Sequence, residues 1–473
     1  MKSNSIRVPK IGLADGMIYE LLKKLAPLDR CHCGPDMELA YQMLVNHYPG
    51  AQLLRYSDKS EVNKWLRPPF WSCLIAELVD ETGKVIASRS LHNLAVYTYS
   101  PVVDKTVTLK ELQKHLLSDP NRPDAICFHF HNQYRHWNPE WGFSIPHKVR
   151  EKLSDSINYH VKIDSEFDQN HEMTQSDYHH QGESDDTYLF VGHFDHPSQV
   201  NDGLAGCIVG YEIIRRLQGR KTRFSYRAFA SVEIVGSVYY LDALGEETSN
   251  FCESLFLGVP GIDSPLVYQK SFQGNSLIDR IASFMMSFYN LEESNIYGHR
   301  EFMGNDENIF DSVGYEIATG TLMRWPHPHY HTHLDSIEIT KEDQLEEMIS
   351  FVLGIVDVIE NNYFLSANYK GTPSMSHPEI DLYLSGDSIS GMNVSSSINL
   401  NKFESKIPKH ELLYLERNPH LLNKFMQNIV RLSDGKHTIL DIAEFSHIPF
   451  GVAFKYATLM KEKKLISFCD IEV

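Results

Sequence analysis

Short apolar runs alternate with longer amphipathic segments from residue 186 onward. The run Thr187–Val191 is almost wholly apolar and ends at Gly192, which is typical of a strand buried on both faces. The next segment carries apolar residues between Leu204 and Leu217 at helical spacing. Alternating strands and helices predict an α/β fold with a mostly parallel sheet flanked by helices. The predicted strands are 187–191, 224–232 and 255–259, and the predicted helices are 203–217, 236–244, 274–290 and 341–361.

The first 165 residues have a different pattern. Residues 15–47 show helical periodicity that is interrupted at Gly34 and Pro35. Between residues 64 and 165, short β-rich runs alternate with proline and aromatic clusters, which predicts an inserted β-rich module. We interpret its aromatic segment 136–143 as a packed corner rather than as a pocket lining. The runs that predict strands are 71–78, 94–99 and 125–130, and a short helix is predicted near 109–117.

The C-terminal part is predicted to be a separate small unit. Residues near 366–400 are rich in Ser, Gly, Asn and Pro, which indicates a linker. The segment 439–466 has the rhythm of a helix, a turn, a second helix and a short strand, as in a winged helix. Over residues 401–473 the net charge is only +2, which favours docking or homo-oligomerisation over DNA binding. The predicted domains are an α/β domain of 1–63 and 166–370, an inserted module of 64–165 and a winged-helix-like domain of 380–473.

Composition narrows the classes of partner. The chain of 473 residues has 44 Lys and Arg against 62 Asp and Glu, a net charge of −18. Because phosphate binding needs a basic surface, this charge argues against DNA, RNA or an anionic membrane as the main partner. No apolar run reaches the ~18 residues of a membrane helix, and the N-terminus lacks the apolar segment of a signal peptide. The seven scattered cysteines indicate free thiols, so the expected location is the cytoplasm.

Two clusters of polar residues follow predicted strands, at the sheet edge where open α/β sheets place their sites. His193 ends the first strand and Asp202 begins the next helix. Imidazole and carboxylate groups are zinc ligands, and Asp195 is spaced to hold the other ring nitrogen of His193. Glu233 follows the second strand and is a candidate base for a metal-activated water. A polar surface loop and a helix-capping carboxylate are the respective alternatives.

Two later segments add candidate groups. Asp306 and Glu307 are candidate site carboxylates in a run that otherwise reads as a turn. Four histidines lie within 327–333, where a His-rich surface loop is the alternative. Arg324 is a candidate partner for a substrate carboxylate, with an ordinary surface arginine as the alternative. Together the clusters predict one metal site with ligands from separate segments: His193, Asp202 and one histidine of 327–333, with Glu233 beside them.

The order of these motifs resembles the zinc aminopeptidase superfamily that includes bacterial leucyl aminopeptidase and glutamate carboxypeptidase. A closer resemblance, over nearly the whole chain, is to a bacterial aminopeptidase-like family with an inserted β module and a C-terminal winged helix. That family is often associated with surface-polysaccharide gene clusters. The motifs that carry the two resemblances are His193-Phe-Asp195, His196–Asp202, Glu233 with Gly236-Ser237, Trp141-Gly-Phe143, Gly274-Asn-Ser276 and Tyr330–Asp335.

The resemblance implies roles for particular residues. His193 and His331 would be zinc ligands, and Asp202 would be the carboxylate that bridges the metals of a two-zinc centre. Asp195 would support His193 from behind, and Asp335 would lie near His331. Of the histidines in 327–333, His331 matches the family position because an Asp follows it at plus four.

The metal count stays open between one zinc ion and two. His196 is an additional candidate ligand next to the family motif. Two-zinc relatives carry a Glu-Glu pair where this chain has Val232 and Glu233, so Glu233 is left to serve as base or as ligand. Asp263 is out of register with the relatives' ligand to the second zinc, and a carboxylate at 306–307 would have to replace it.

We therefore expect a zinc-dependent hydrolase of the aminopeptidase type, with Glu233 and Asp195 as its catalytic carboxylates. Its substrate would be a peptide, an aminoacyl conjugate or an N-acylated sugar, and the inserted module would cover the site and limit substrate size. The missing second Glu motivates the alternative of a non-catalytic zinc-binding assembly or regulatory protein. Transcriptional control through the winged helix is a third hypothesis, against which the net charge of −18 argues.

Overall fold

A computed structural model describes residues 16–288, 295–384, 414–415 and 417–470. Residues 385–400 of the predicted linker lie outside the described part of the chain. The first 15 residues of the N-terminal segment, which is predicted to lack a signal peptide, also lie outside it. The described residues form two compact units, of which the larger spans 16–274 and 297–349. The smaller unit holds the described residues of 275–296 and 350–473. Among all these residues, no helix combines the length and the apolar character needed to cross a membrane.

An eight-stranded sheet forms the framework of the larger unit. Four neighbouring strands at its centre run parallel, and the strands that flank them pair antiparallel. The predicted α/β fold is therefore confirmed. In order across the sheet, the strands are Gln52–Tyr56, Met173–His180, Ser225–Ser231, Thr187–His193, Phe251–Leu257, Ala318–Arg324, Leu266–Gln269 and Ile296–Tyr297.

The helices that follow the strands begin within three residues of the predicted positions. All seven residues of the Thr187–His193 strand are buried, as its apolar run predicts. The Leu204–Leu217 helix is buried on nearly every side, which explains why its sequence is apolar beyond a single stripe. The longer helices are Met17–Leu25, Pro35–His47, Leu204–Leu217, Val235–Leu244, Leu277–Phe288 and Glu342–Asn361.

The inserted segment forms a separate four-stranded antiparallel sheet of Val85–Ser88, Phe70–Asp80, Asn158–Asp168 and Val103–Thr108. Its predicted helix near 109–117 is confined to Leu109–Leu112 and a following 3-10 turn. The prediction of strands at 94–99 and 125–130 is wrong, because each run contributes only one isolated bridge. Both runs contain buried apolar residues. An apolar run indicates that its residues are buried, but it does not show whether they pair in a sheet.

The smaller unit contains a three-stranded antiparallel sheet and short helices. Thr438 caps one helix, since its hydroxyl accepts a hydrogen bond from the Asp441 amide and the Asp441 carboxylate accepts one from the Thr438 amide. The assignment of 380–473 as a winged helix and the predicted domain boundaries remain predictions. The elements are Phe364–Ala367, His420–Leu432, Asp434–Thr438, Ile439–Ser446, Phe450–Glu462 and Ile466–Cys469.

Gly206 marks the closest approach of the Leu204–Leu217 helix to the central sheet. A Cβ atom at Gly206 would lie 2.0 Å from the carbonyl oxygen of Leu257, a backbone atom that cannot move without its strand. One turn later, a Cβ at Gly210 would meet only side-chain carbons, the nearest at 3.5 Å. Glycine is therefore required at the first position and is dispensable at the second.

We predict that Gly206→Ala destabilises the protein by about 1–3 kcal/mol or more, because the new methyl group forces the helix away from the sheet. Gly210→Ala is the matched control in the same helix. It should be neutral or stabilising by up to about 1 kcal/mol, because alanine is the better helix former. Thermal unfolding of both variants measures the difference, and equal melting temperatures would contradict this account of the packing.

Candidate functional site

The candidate site lies at the carboxyl ends of the parallel strands, where open α/β sheets place their ligands. His193 is the last residue of its strand and stands beside Ser231, the last residue of the neighbouring strand. Glu233 therefore follows two residues beyond that edge. His331 arrives from the loop after the Ala318–Arg324 strand. Strand pairing thus brings together side chains that are far apart in the sequence.

The loop between His193 and the following helix is fixed by close backbone contacts. Gly203 has φ of +96°, and a Cβ there would lie 2.5 Å from Nδ1 of His193, so only glycine fits under the ring. The Asp335 carboxylate accepts hydrogen bonds from the backbone amides of Asn201 at 3.1 Å and Asp202 at 2.8 Å. These contacts hold Asp202 at the start of the helix with its side chain toward the imidazoles.

The Asp202 carboxylate is the common neighbour of three imidazoles. Its Oδ1 lies 3.5 Å from Nε2 of His193, and its Oδ2 lies 3.2 Å from Nδ1 of His196 and 3.1 Å from Nε2 of His331. His193, His196 and Asp202 offer ligand atoms within 4.8 Å of one another. This spacing is that of groups gathered around one small cation.

Glu233 joins this cluster on its other side. Its Oε2 lies 3.4 Å from Nε2 of His196, so the two nitrogens of His196 face two different carboxylates. Asp195 contacts both His193 and Glu233. Its Oδ1 lies 3.6 Å from Nδ1 of His193 and accepts a hydrogen bond from the Glu233 amide. Asp195, His196 and Glu233 form a second group with ligand atoms within 4.8 Å of one another.

Burial and mutual charge shift the protonation of these groups strongly. Burial alone would raise the pKa of Asp202, but the positive charge of His196 and the adjacent imidazole of His193 hold that pKa well below its usual range. Burial would lower the pKa of His196, yet Asp202 and Glu233 raise it to about 10. Burial would likewise raise the pKa of Glu233, but His196 and His193 lower it to about 2. Protonated imidazoles thus occupy the place of a cation among the carboxylates.

The donor set fits a zinc ion. Three of its atoms are buried with no hydrogen-bond partner and lie around one point, namely Nδ1 of His196, Oδ2 of Asp202 and Nε2 of His331. Buried polar atoms are normally satisfied, so a cluster of unpaired donors and acceptors that share one focus is suited to binding a metal ion. Imidazole nitrogens and carboxylate oxygens are the ligands that zinc takes in hydrolases.

The remaining candidates lie outside this focus. Asp306 is buried and accepts hydrogen bonds from the Ile234 amide and the Ser237 hydroxyl, and burial raises its pKa to about 7. Glu307 is also buried, and its carboxylate accepts from the Asn305 amide. Neither belongs to the two groups of potential ligands that the described residues contain. Asp306 supports the backbone next to Glu233, and Glu307 supports the backbone of Asn305.

Arg324 is committed to the protein interior rather than to an open pocket. Only 3% of it is exposed, and its guanidinium donates to the carbonyl oxygens of Pro260 and Ser264 and to the Glu347 carboxylate. A substrate carboxylate would have to displace these buried bonds. These contacts tie the strand of Arg324 to the neighbouring loop, and its substrate-binding role stays a prediction that they do not favour.

Several residues of the site escaped the sequence analysis. The Tyr134 hydroxyl donates to Oε2 of Glu233, and Asn305 Nδ2 donates to Oε1 of the same carboxylate at 3.1 Å. The buried ring of His32 lies with Nε2 at 3.2 Å from Oδ2 of Asp195. Arg30 is fully buried and donates to backbone carbonyls of the loop that carries His196. Only His32, next to two cysteines, carried a local signal of chemistry in the sequence.

Comparisons with known proteins agree with this architecture. The model of a family described as a domain of unknown function (DUF4910) matches residues 19–362. A Clostridium acetobutylicum protein is 27% identical over 447 residues, which cover 93% of this chain and 94% of the relative. Its provisional name is polysaccharide biosynthesis protein with aminopeptidase-like domain.

Solved structures show the same fold. The crystal structure of a provisionally assigned peptidase from Clostridium acetobutylicum matches with a TM-score of 0.78 and 25% identity, over 96% of each chain. A zinc aminopeptidase from Bacillus subtilis matches with a TM-score of 0.53 and 13% identity, over 74% of this chain and 95% of that one. A peptidase M28 precursor from Shewanella amazonensis matches with a TM-score of 0.52 and 10% identity, over 73% of this chain and 93% of that one. The predicted aminopeptidase-like character is confirmed, and the chain belongs to the family described as domain of unknown function DUF4910, with the fold of zinc aminopeptidases.

Proposed function

We propose that this protein is a zinc-dependent hydrolase of the aminopeptidase type that cleaves an amide bond. The observation that carries the proposal is the convergence of His193, His196, Asp202 and His331 beside the Glu233 carboxylate. These five side chains come from three separate segments of the chain, each of which follows a parallel strand of the central sheet. A metal ligand set with an acid–base group beside it is the arrangement that metallohydrolases use.

Zinc would be held by His193, Asp202 and His331, with His196 as a further ligand. When bound there, a zinc ion supplies a Lewis acid that polarises an amide carbonyl and makes water more acidic. His193 and His331 face different oxygens of the Asp202 carboxylate, so replacing either histidine would remove one side of the shared site. One ion would account for the orphaned atoms of His196, Asp202 and His331, and it would leave the Asp195 and Glu233 carboxylates available for other roles.

Glu233 performs the proton transfers in this proposal. Burial would raise the pKa of this carboxylate, but His196 and His193 lower it to about 2. The carboxylate is therefore charged at neutral pH. Its Oε2 accepts a proton from the attacking water and returns it to the departing amide nitrogen. Asp195 fixes the position of Glu233, because its Oδ1 accepts the hydrogen bond of the Glu233 backbone amide at 3.0 Å.

The substrate approaches the side on which the cluster is exposed. The side chains of His331 and Glu233 are 23% and 15% exposed, whereas those of His193, His196 and Asp202 are at most 4% exposed. The rings of Phe128 and Phe130 pack against His331 on this side. An apolar wall of aromatic rings beside the exposed edge of the cluster suits a small amide group at the end of a peptide, an aminoacyl conjugate or an N-acylated sugar. The name of the Clostridium relative supports a carbohydrate context.

We predict that Glu233→Gln lowers amide hydrolysis by about 10²–10⁴-fold, because the amide side chain cannot accept the proton. The variant should retain bound zinc. Its matched control is Glu246→Gln, which changes an exposed glutamate away from the cluster and should retain full activity. The measurement is turnover of aminoacyl and N-acylated p-nitroanilides and of N-acetylated hexosamines, together with metal content.

Full activity of Glu233→Gln would exclude Glu233 as the base. A wild-type protein that binds zinc but hydrolyses none of these substrates would favour the non-catalytic alternative. That alternative draws on Val232, a buried apolar residue at the position where two-zinc relatives carry a second Glu.

We predict that zinc binding to the metal-free protein releases protons at pH 7. His196 holds its proton up to a pKa of about 10, because Asp202 and Glu233 outweigh the effect of burial, and zinc takes only the neutral ring. Zinc affinity should therefore rise as the pH rises from 6 to 8. Calorimetry in buffers of different ionisation enthalpy measures the proton count.

Zinc should also raise the melting temperature of the metal-free protein, since it binds the folded state. Asp202→Asn should lose most of this rise, while the exposed Asp58→Asn should keep it. A wild-type melting temperature that does not respond to zinc, or binding without proton release, would contradict the assigned ligand set.

A further inference from the structure

The inserted segment reaches the candidate site through a short stretch, residues 126–134. The Phe128 amide donates to the carbonyl oxygen of His331 at 2.9 Å, and the His333 amide donates to the carbonyl oxygen of Ile126 at 2.9 Å. Cys127 and Thr332 form an antiparallel bridge between these bonds. The backbone on both sides of His331, whose own φ is +54°, is therefore held by the insertion.

The same stretch ends in a single helical turn, His131–Tyr134, which is anchored from within the insertion. The buried Asn132 side chain donates to the carbonyl oxygens of Thr98 at 3.0 Å and Glu140 at 2.7 Å, and accepts from the Glu140 amide at 3.0 Å. Three hydrogen bonds to one buried amide fix the turn firmly. Tyr134 is thus presented by a rigid support rather than by a free loop.

Tyr134 meets the Glu233 carboxylate directly. Its hydroxyl donates to Oε2, the oxygen that also faces Nε2 of His196. Asn305 donates to the other oxygen, Oε1, at 3.1 Å. The Tyr134 ring stands edge-on to His32 with centroids 5.2 Å apart, which sets the direction of the hydroxyl. Each carboxylate oxygen of Glu233 therefore has its own neutral donor, and these two donors set the plane of the carboxylate.

We propose that Tyr134 is a positioning residue for Glu233, so that the insertion supplies part of the catalytic machinery in addition to covering it. This inference rests on the proposed function, because it assigns Glu233 the role of base. Without the Tyr134 hydroxyl, the Glu233 carboxylate keeps its charge and its contact with Asn305, but it is free to rotate about its last bond. Proton transfer then starts from a mixture of orientations, of which only some are productive.

The test compares Tyr134→Phe with Tyr97→Phe, a buried tyrosine of the same insertion that stacks on His129 and makes no contact with Glu233. For Tyr134→Phe, kcat should fall about 10- to 100-fold, the range of a hydrogen bond to a charged group, while KM and zinc content stay unchanged. Tyr97→Phe should keep the wild-type kcat. A kcat of Tyr134→Phe equal to that of Tyr97→Phe would overturn the proposal, as would a change in KM alone.

A second measurement does not depend on turnover. Tyr134 is replaced by 3-fluorotyrosine in the full-length zinc protein, and its fluorine resonance is recorded. Glu233→Gln should shift this resonance, because the hydroxyl loses its charged acceptor, whereas Glu246→Gln should leave it in place. If wild-type protein hydrolyses no substrate, the proposed function fails while a shifted resonance still supports the contact between Tyr134 and Glu233. An unmoved resonance overturns the inference whether or not the protein is active.

Discussion

The buried charge of Asp202 is the constraint on which the rest of this site depends. An ionised carboxylate that is almost fully buried is costly unless cations or strong donors surround it. Here three imidazoles, those of His193, His196 and His331, provide that surrounding. Removing one partner from such a buried group typically costs about 3–5 kcal/mol. The ligand geometry is therefore part of what stabilises this edge of the sheet, and a bound cation would take over the role of the imidazole protons.

The backbone around the site is held in conformations that side chains rarely adopt. His196, Ile234 and His331 have φ values of +80°, +62° and +54°. Such residues cost about 1–3 kcal/mol each and persist only where their surroundings determine them fully. The surroundings here are buried polar groups: Arg30 holds the carbonyl oxygen of His196, and Asp306 holds the amide of Ile234. The insertion does the same for His331 through its backbone ladder.

The insertion therefore has a structural role at the candidate site, in addition to any role as a cover. Its four-stranded sheet has its own core, which includes Trp71, Tyr99 and Phe143, so it is rigid independently of the site. Because the insertion positions Tyr134 and holds the backbone around His331, it helps to order the residues of the candidate site. This arrangement explains why an α/β hydrolase fold would retain an insertion of such size close to its catalytic edge.

The sequence by itself determined the α/β core and indicated most of the polar side chains that the structure brings together at the candidate site. An apolar run such as Thr187–Val191, bounded by Gly192, is typical of a strand buried on both faces, and His193, Asp202 and Glu233 lie at or after the ends of such strands. The sequence did not reveal the roles of Tyr134 and Asn305 or the burial of Arg324, because each depends on contacts across 20 or more residues of chain. The apolar runs at 94–99 and 125–130 were misinterpreted as strands for the same reason. Local periodicity reports that a residue is buried, whereas only the tertiary structure decides which partner it is buried against.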